Sequence, residues 1–242
     1  MKKFTTMALA AASLFLALVP GAQAQSIQAL TSDIPPYAMQ NGDRPGFIRE
    51  IVDEMAKLLN IDVNTSFVTS VERYAGVGGG ENVIGYPVMR TAGREAQFTW
   101  IVKVFDLEGC ALSPAGKPAV GSLEEMKTHK IGANKGSSYA KFLQRNEVSG
   151  AVEGNSVQEV AKMLADGTID AWYTDVISAN RIWQLDGNQG NLVKGYCSPK
   201  TPMWLAASPN SPAIDVESWV AAFQVLEQDG TFDRIFQAYG LK

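Results

Sequence analysis

The chain of 242 residues carries 21 lysines and arginines against 25 aspartates and glutamates, a formal net charge of −4 at pH 7. This acidic balance argues against a nucleic-acid-binding protein and against docking on an anionic membrane surface. With two cysteines and one histidine, the chain has too few ligands and bases for a zinc site or a histidine-based catalytic triad. We therefore expect no metal and no cofactor.

The first residues have the pattern of a secretory signal peptide. Two lysines precede an apolar run over about residues 7–19, and the small-residue sequence Ala22-Gln23-Ala24 follows it. We predict that residues 1–24 are removed before Gln25. The apolar run is short for a membrane span and Gln25 is not a lipidatable cysteine, so we expect a soluble periplasmic protein. Cleavage takes away two of the 21 basic residues and no acidic one, which leaves a net charge of −6.

Strands and helices alternate in the part of the chain that follows. Residues 26–40 predict a strand that ends at the Pro35-Pro36 turn, because proline neither donates to a strand ladder nor continues a helix. Apolar residues at helical spacing predict an amphipathic helix over residues 46–60. Two further strands are predicted at Ile61–Thr69 and Val83–Met89. Between them, Gly78-Gly79-Gly80 indicates a glycine-rich loop, and the GKT signature of a nucleotide-binding P-loop is absent.

The same alternation continues through the second half of the chain. Ser122 with Glu125, and Ser156 with Glu159, have the spacing of capping boxes at two helix starts, and Gly167 ends the second helix. The other predicted elements are a strand at Phe98–Leu112, a strand, glycine turn and helix start over 130–144, a strand over 169–175, a strand and turn over 204–212, and two amphipathic helices after residue 215. This order is typical of α/β proteins with parallel sheets, whose ligands bind beyond the strand ends.

Five sequence segments carry a family resemblance. They are PPYAMQNGDRPGFIREIVDEMAKLLNI, VIGYPVMRTAGREAQFTW, KIGANKGSSYAKFL, GTIDAWYTDVISANRI and LEQDGTFDRIFQAYGL, in this order. Together they resemble the bacterial extracellular solute-binding proteins of family 3, the amino-acid-type receptors of ABC importers. The resemblance covers essentially the whole chain after residue 24. The Arg-Thr-x-x-Arg-Glu pattern at residues 90–95 is similar to a less-studied subgroup of that family.

The resemblance implies a two-lobed periplasmic-binding-protein fold of type II. Two α/β lobes are joined in such a fold by two crossover strands, and they close on a ligand by hinge bending. Lobe 1 would comprise residues 25–103 and 204–242, and lobe 2 would comprise residues 104–203. The hinge strands would lie at 104–108 and 199–203.

The same implied frame brings the two cysteines together. Cys110 and Cys197 fall just beyond the two hinge strands on the lobe 2 side, equally far from the hinge. Facing residues of antiparallel strands have a spacing that suits a disulfide. We therefore expect a Cys110–Cys197 disulfide, with two free structural thiols as the alternative.

The resemblance also implies ligand contacts. The arginine of the family's Thr-x-x-Arg motif, here Arg94, forks the ligand carboxylate from a short helix that Thr91 would cap. Ser137 and Ser138 match the second-lobe turn that offers N–H groups and a hydroxyl to the same carboxylate. Asp175 matches the acid that receives the ligand ammonium. Without the resemblance, Arg94 is a solvated helix arginine, and the serines and Asp175 are helix caps.

Three other residues complete the candidate site. Tyr37 and Tyr86 are candidate ligand contacts, although aromatic residues at strand ends also serve in packing. Arg90 either supplies a second positive charge for a dicarboxylate or pairs with an acidic residue on the surface. Pro87 and Met89 replace a glycine and a threonine or serine of many family members, and Pro87 has no N–H to donate. The ligand is therefore expected to be an amino acid or another small carboxylate.

Three functions are compatible with these residues. The first is a periplasmic binding protein, monomeric and without catalysis, that captures a small carboxylate and delivers it to an inner-membrane ABC permease. The second is a dehydratase-like enzyme on the same scaffold, for which Glu108 or His129 would be the general acid or base. The third is a ligand sensor that docks on a signalling receptor.

Overall fold

The computed structural model describes residues 25–188 and 190–241. The predicted signal peptide, residues 1–24, lies outside the described residues, as do Gln189 and Lys242. In the part of the chain that is described, no helix has the length and the apolar character needed to cross a membrane.

Ten strands and eight α-helices make up the described regular structure. The strands are β1 (Gln25–Thr31), β2 (Ile61–Phe67), β3 (Val83–Met89), β4 (Thr99–Leu107), β5 (Cys110–Ser113), β6 (Ile131–Asn134), β7 (Ala151–Gly154), β8 (Ala171–Thr174), β9 (Val193–Cys197) and β10 (Thr201–Ala207). The helices are α1 (Phe47–Leu59), α2 (Ser70–Gly79), α3 (Leu123–Thr128), α4 (Ser138–Arg145), α5 (Val157–Ala165), α6 (Val176–Leu185), α7 (Val216–Gln228) and α8 (Thr231–Ala238). A 3-10 helix covers Ala92–Gln97.

The strands form two five-stranded sheets, one in each of two lobes. The first sheet has the order β2-β1-β3-β10-β4, in which β1 is parallel to β2 and β3, and β10 is antiparallel to β3 and β4. The second has the order β7-β6-β8-β5-β9, in which β6 is parallel to β7 and β8, and β5 is antiparallel to β8 and β9. The prediction of a two-lobed α/β fold is confirmed.

Two short segments connect the sheets. Strands β4 and β10 are paired along their length, and residues 108–109 and 198–200 lead from their ends to β5 and β9. The first sheet takes its strands from residues 25–107 and 201–207, and the second takes its strands from residues 110–197. Two connections that lie side by side let one lobe rotate against the other about a shared axis.

Each lobe has its own apolar core. In the first lobe, Phe47 of α1 and Trp219 of α7 are fully buried, and the Phe47 ring lies 4.9 Å from that of Phe236 on α8. In the second lobe, Trp172 and Tyr173 of β8 are buried in separate apolar clusters, because successive residues of a strand point to opposite faces of the sheet. Each lobe is therefore stabilised by its own packing, independently of the cleft between the lobes.

The two cysteines form a disulfide near the connections. Cys110 on β5 and Cys197 on β9 are opposite each other in the antiparallel pairing, with their Cα atoms 4.1 Å apart. The predicted Cys110–Cys197 pairing is confirmed. Strand β9 is at the edge of its sheet, so the disulfide ties this edge strand to β5 next to the segment that leads to the first lobe.

Helix α2 replaces the predicted glycine-rich loop before Gly80, and that prediction was wrong. The helix starts with a capping box: the Thr69 hydroxyl accepts a hydrogen bond from the Glu72 N–H at 3.2 Å, and the Glu72 carboxylate accepts one from the Thr69 N–H at 2.9 Å. Such a cap satisfies two donors that the first turn of a helix leaves unpaired. Gly76, Gly78 and Gly79 lie in the second half of the helix, and Gly76 is packed so closely that a Cβ there would overlap Leu30 of β1.

The other predicted helix starts are observed. The hydroxyls of Ser122 and Ser156 accept hydrogen bonds from the N–H groups three residues later, at 3.1 and 3.0 Å. The predicted strand at Phe98–Leu112 is divided into β4 and β5 by Glu108 and Gly109, because the chain passes there from one sheet to the other.

Candidate functional site

A small cavity of about 40 Å³ lies between the two lobes. The first lobe contributes the turn after β1, helix α2 and the end of β3. The second lobe contributes the ends of β6 and β8 and the start of α4. Carboxyl ends of strands and helix N-termini are the places where α/β folds bind ligands, so this cavity is the candidate binding site.

Arg94 is buried, with 4% of its surface exposed, and it lies behind the cavity wall in contact with Tyr74 and Ser138, which line the cavity. The 3-10 helix holds it, and its backbone N–H donates to the carbonyl of Thr91 at 2.9 Å. Thr91 occupies the predicted N-cap position, but its hydroxyl makes no capping hydrogen bond. The guanidinium carbon lies 3.7 Å from the centre of the Tyr74 ring, and Nη1 donates to the hydroxyl of Ser138 on the other lobe. Nη2 is buried without a hydrogen bond, so Arg94 keeps an unused donor at the cleft.

Ser137 and Ser138 lie at the start of α4 in the second lobe. The Ser137 hydroxyl caps α4 by accepting a hydrogen bond from the Ala140 N–H at 3.1 Å. Both serines line the cavity, and Ser138 takes the hydrogen bond from Arg94. An anion between Arg94 and Ser138 would meet a guanidinium, a hydroxyl and the positive end of a helix.

Asp175 is the acidic residue of the cavity, and 3% of its surface is exposed. Its Oδ1 caps α6 by accepting a hydrogen bond from the Ser178 N–H at 2.7 Å, and it accepts a second one from the hydroxyl of Tyr37 across the cleft. Burial raises the pKa of the Asp175 carboxyl above its ordinary value, against the lowering effect of these two hydrogen bonds. Asp175 therefore caps α6, the alternative given for it without the resemblance, and it also lines the cavity.

Helix α2 brings a second arginine to the cavity. Arg73 lines it, is only 3% exposed, and has its guanidinium carbon 5.0 Å from the centre of the Tyr74 ring. Its Nε and Nη1 make no hydrogen bond, and burial lowers the pKa of its guanidinium. Sequence reasoning missed Arg73 and Tyr74 because it placed them in a loop. The capping-box pattern of Thr69 and Glu72 was the signal that places them on a helix.

Two further pairs of residues are joined by hydrogen bonds across the cleft. The Asn134 amide donates to the Ser70 hydroxyl at 3.0 Å, and the Gln158 amide donates to the Asp33 carbonyl at 3.3 Å. Together with the Arg94 and Tyr37 contacts described above, they join the two lobes in a closed arrangement.

Tyr86 lies outside the cavity. It is fully buried in the first-lobe core, and its hydroxyl is 3.1 Å from the Thr65 hydroxyl. The structure therefore places Tyr86 among the packing residues, the alternative to its predicted contact with a ligand. The neighbouring Pro87 and Met89, which depart from the family pattern, do line the cavity.

Arg90 also lies away from the cavity. It forms an ion pair with Glu95 on the surface, and its guanidinium carbon is 5.0 Å from the ring centre of Trp100 and 4.5 Å from that of Trp204. Of the two alternatives predicted for Arg90, a second charge for the ligand or a surface ion pair, the structure shows the ion pair. Arg90 is not part of the cavity wall.

The two residues considered for catalysis are not among the residues that line the cavity. Glu108 pairs with Lys194 at 2.6 Å. His129 follows α3 and has Nδ1 2.8 Å from the Glu125 carbonyl oxygen. Neither lines the cavity between the lobes.

Comparison with known proteins identifies the fold. No family model matches the sequence, and no curated protein sequence matches it. Among solved structures, an ancestral arginine-binding protein bound to arginine has a TM-score of 0.78 at 19% identity, over 88% of this chain and 97% of that chain. The arginine-, lysine-, histidine-binding protein ArtJ from Geobacillus stearothermophilus has a TM-score of 0.79 at 15% identity, over 90% and 96%. A histidine kinase sensor domain with similarity to periplasmic binding proteins has a TM-score of 0.80 at 16% identity, over 89% and 96%.

These likenesses show the fold. The chain has the two-lobed periplasmic-binding-protein fold of type II, and the similar structures include substrate-binding proteins of amino-acid ABC transporters. One amino-acid ABC transporter substrate-binding protein among them is bound to L-arginine, and an ABC uptake transporter substrate-binding protein contains bound histidine.

Proposed function

We propose that the protein is a periplasmic solute-binding protein that captures a small carboxylate, in particular an amino acid, and delivers it to an inner-membrane ABC permease. It acts as a monomer and without catalysis. The observation that carries the proposal is the hydrogen bond from the buried Arg94 to the partly buried Ser138 across the cleft. A guanidinium with an unused donor, opposite a hydroxyl and a helix N-terminus, is a carboxylate-binding arrangement.

The ligand would enter between the groups that touch each other in the closed arrangement. Its carboxylate would accept hydrogen bonds from Arg94 and from Ser138 with the start of α4. Its ammonium would lie against Asp175 and Tyr37, whose oxygen atoms are in contact with each other across the cleft. A ligand bound in this way touches both lobes, and it favours the closed form by the contacts that the open form lacks.

The hinge would lie in residues 104–108 and 199–203, with lobe 1 formed by residues 25–103 and 204–242 and lobe 2 by residues 104–203. The paired ends of β4 and β10, which lead from one sheet to the other, support this division.

A thermal-shift screen of amino acids and small carboxylates, followed by calorimetry on each hit, tests the proposed function. We expect at least one carboxylate to raise the melting temperature, because a ligand at 100 times its Kd adds about 2.7 kcal/mol to the free energy of unfolding. The control is the amine or alcohol that matches the hit but lacks its carboxylate. Failure of every carboxylate to bind, or chemical conversion of the bound compound, would contradict the proposal.

Closure of the cleft is expected to depend on Gly136. This residue has φ +71° and touches Val71 of the other lobe, so a Cβ at position 136 would overlap the Val71 side chain. We expect Gly136→Ala to weaken ligand binding about tenfold, because overpacking costs about 1–3 kcal/mol and the overlap exists only in the closed form. Calorimetry with the ligand found in the screen measures the change.

Two variants separate the overlap from backbone strain. Gly116 has φ +83° and open space around its Cβ position, so Gly116→Ala introduces a similar strain and should leave the affinity unchanged. Adding Val71→Ala to Gly136→Ala should restore most of the affinity. Unchanged affinity in Gly136→Ala would show that the lobes do not meet at this point in the bound form.

A ligand sensor is the alternative function, and the similarity to the sensor domain of a histidine kinase supports it. The same closure would then be detected by a signalling receptor in place of a permease. If this protein binds the extracellular domain of such a receptor only when its ligand is present, the sensor function would be favoured.

A further inference from the structure

Two buried arginines approach the same aromatic ring. The guanidinium carbons of Arg94 and Arg73 lie 3.7 and 5.0 Å from the centre of the Tyr74 ring, so they are separated by no more than the sum of these distances, 8.7 Å. Each has less than a twentieth of its surface exposed. Among the described residues, neither arginine forms an ion pair.

The positive charge of this region is not balanced by the cavity wall. Asp175 is the acidic residue among those that line the cavity, and it is engaged by Tyr37 and Ser178. The pKa of the Tyr74 hydroxyl is consistent with this excess of positive charge. Burial raises this pKa, but the nearby charges of Arg94 and Arg73 lower it, and the resulting pKa lies below its ordinary value.

An amino acid with a neutral side chain leaves this charge uncompensated. It brings one negative and one positive group, so Arg94 and Asp175 are paired and Arg73 stays buried with free donors on Nε and Nη1. A buried charge without a partner is strongly unfavourable. A basic amino acid adds one more positive charge to the same cavity.

On the basis of the proposed binding function, we infer that the ligand is a compact anion with two carboxylates, of which Arg94 binds one and Arg73 binds the other. Two arginines and one aspartate together carry one net positive charge. An acidic amino acid carries one net negative charge, so it neutralises this set. The cavity of about 40 Å³ favours a short acid, and the two carboxyl carbons of a four-carbon acid are on the order of 4 Å apart by bond lengths. The amide of the same acid has the same shape and lacks the second charge.

Calorimetry with matched acids and amides tests the inference. The probes are aspartate with asparagine, glutamate with glutamine, and succinate with succinamate. We expect the acid of at least one pair to bind about 100-fold more tightly than its amide, because loss of one partner from a buried charge pair weakens binding to this degree. Tight binding of succinate identifies a dicarboxylate that needs no ammonium. Binding of aspartate or glutamate without succinate identifies an acidic amino acid.

A charge variant identifies the residue responsible. Arg73→Met should remove the preference for the acid, with little change in the affinity for the amide. Arg181→Met, which removes an exposed arginine of α6, should leave the preference intact. Circular dichroism shows whether each variant is folded. If a variant does not fold, the ratio of the affinities for acid and amide, measured on the unmodified protein, still tests the inference.

The outcomes separate this inference from the proposed function. Tighter binding of a neutral or basic amino acid, or equal binding of acid and amide, would overturn the inference and leave the solute-binding function supported. A preference for the acid that persists in Arg73→Met would remove Arg73 from the site. Absence of binding by every carboxylate would overturn the inference and the proposed function together.

Discussion

Replacement of Arg94 by methionine is expected to lower the affinity for the carboxylate ligand by at least about 30-fold. Truncation of one partner in a buried hydrogen-bonded charge pair costs about 2–5 kcal/mol, and each 1.4 kcal/mol is a factor of ten. Without ligand, the free energy of unfolding should change little, because the variant loses the contact with Tyr74 but also relieves a buried charge that has no acidic partner. Calorimetry and urea unfolding measure the two quantities on the same samples.

Arg90 provides the matched control for this experiment. It lies four residues before Arg94 and carries the same charge, but it pairs with Glu95 on the surface. We expect Arg90→Met to retain full affinity and to lose no more than about 1 kcal/mol of stability, the usual contribution of an exposed ion pair. Full affinity in Arg94→Met, or an equal loss in Arg90→Met, would show that the carboxylate is bound by other groups.

Reduction of the Cys110–Cys197 disulfide is expected to lower the free energy of unfolding by about 2–5 kcal/mol. The two cysteines are 87 residues apart in the sequence, so the bond removes a large loop from the conformational freedom of the unfolded chain. Urea unfolding with and without a thiol reductant should therefore show a lower midpoint for the reduced protein.

A double variant separates reduction from other effects of the reagent. Cys110→Ala with Cys197→Ala should unfold at the lower midpoint in both conditions. A thiol assay on the native, unreduced protein should find no free sulfhydryl. Equal midpoints for the oxidised and the reduced protein would mean that the disulfide does not stabilise the fold by restricting the conformational freedom of the unfolded chain.

Much of the fold is predictable because local signals agree with the packing. The capping serines at positions 122 and 156 start helices where their spacing indicates, and apolar spacing predicts α1 between Phe47 and Leu59. Helix α2 is the exception. Its glycines have low helix propensity, so the sequence predicts a loop there although the capping box of Thr69 and Glu72 indicates a helix start. In the structure a side chain at Gly76 would overlap Leu30 of β1, so the glycine allows the helix to lie close on the sheet.

The candidate site is only partly predictable for a related reason. Arg94, Ser138 and Asp175 follow from the order of the motifs. In the structure, Ser138 and Asp175 line one cavity, and Arg94 contacts Ser138 from behind its wall. Arg73 belongs to no such motif, and its position depends on the existence of α2 and on the rotation of that helix toward the cleft. Tyr86 is the opposite case, because it was a candidate ligand contact and is buried in the first-lobe core. Its burial depends on which face of β3 it occupies, and a sequence does not reveal which face of a central strand points to the site.

The order of the strands also determines how the two lobes can be built during synthesis. The second sheet draws all its strands from one continuous stretch, residues 110–197, whereas the first sheet needs β10 between β3 and β4. A growing chain can therefore contain every strand of the second sheet while the first sheet still lacks β10. Until β10 is present, β3 lacks one of its two neighbours and β4 lacks the strand with which it pairs, and unpaired strand edges promote aggregation. The first lobe is thus the half of the molecule that exposes unpaired strands while the chain is incomplete.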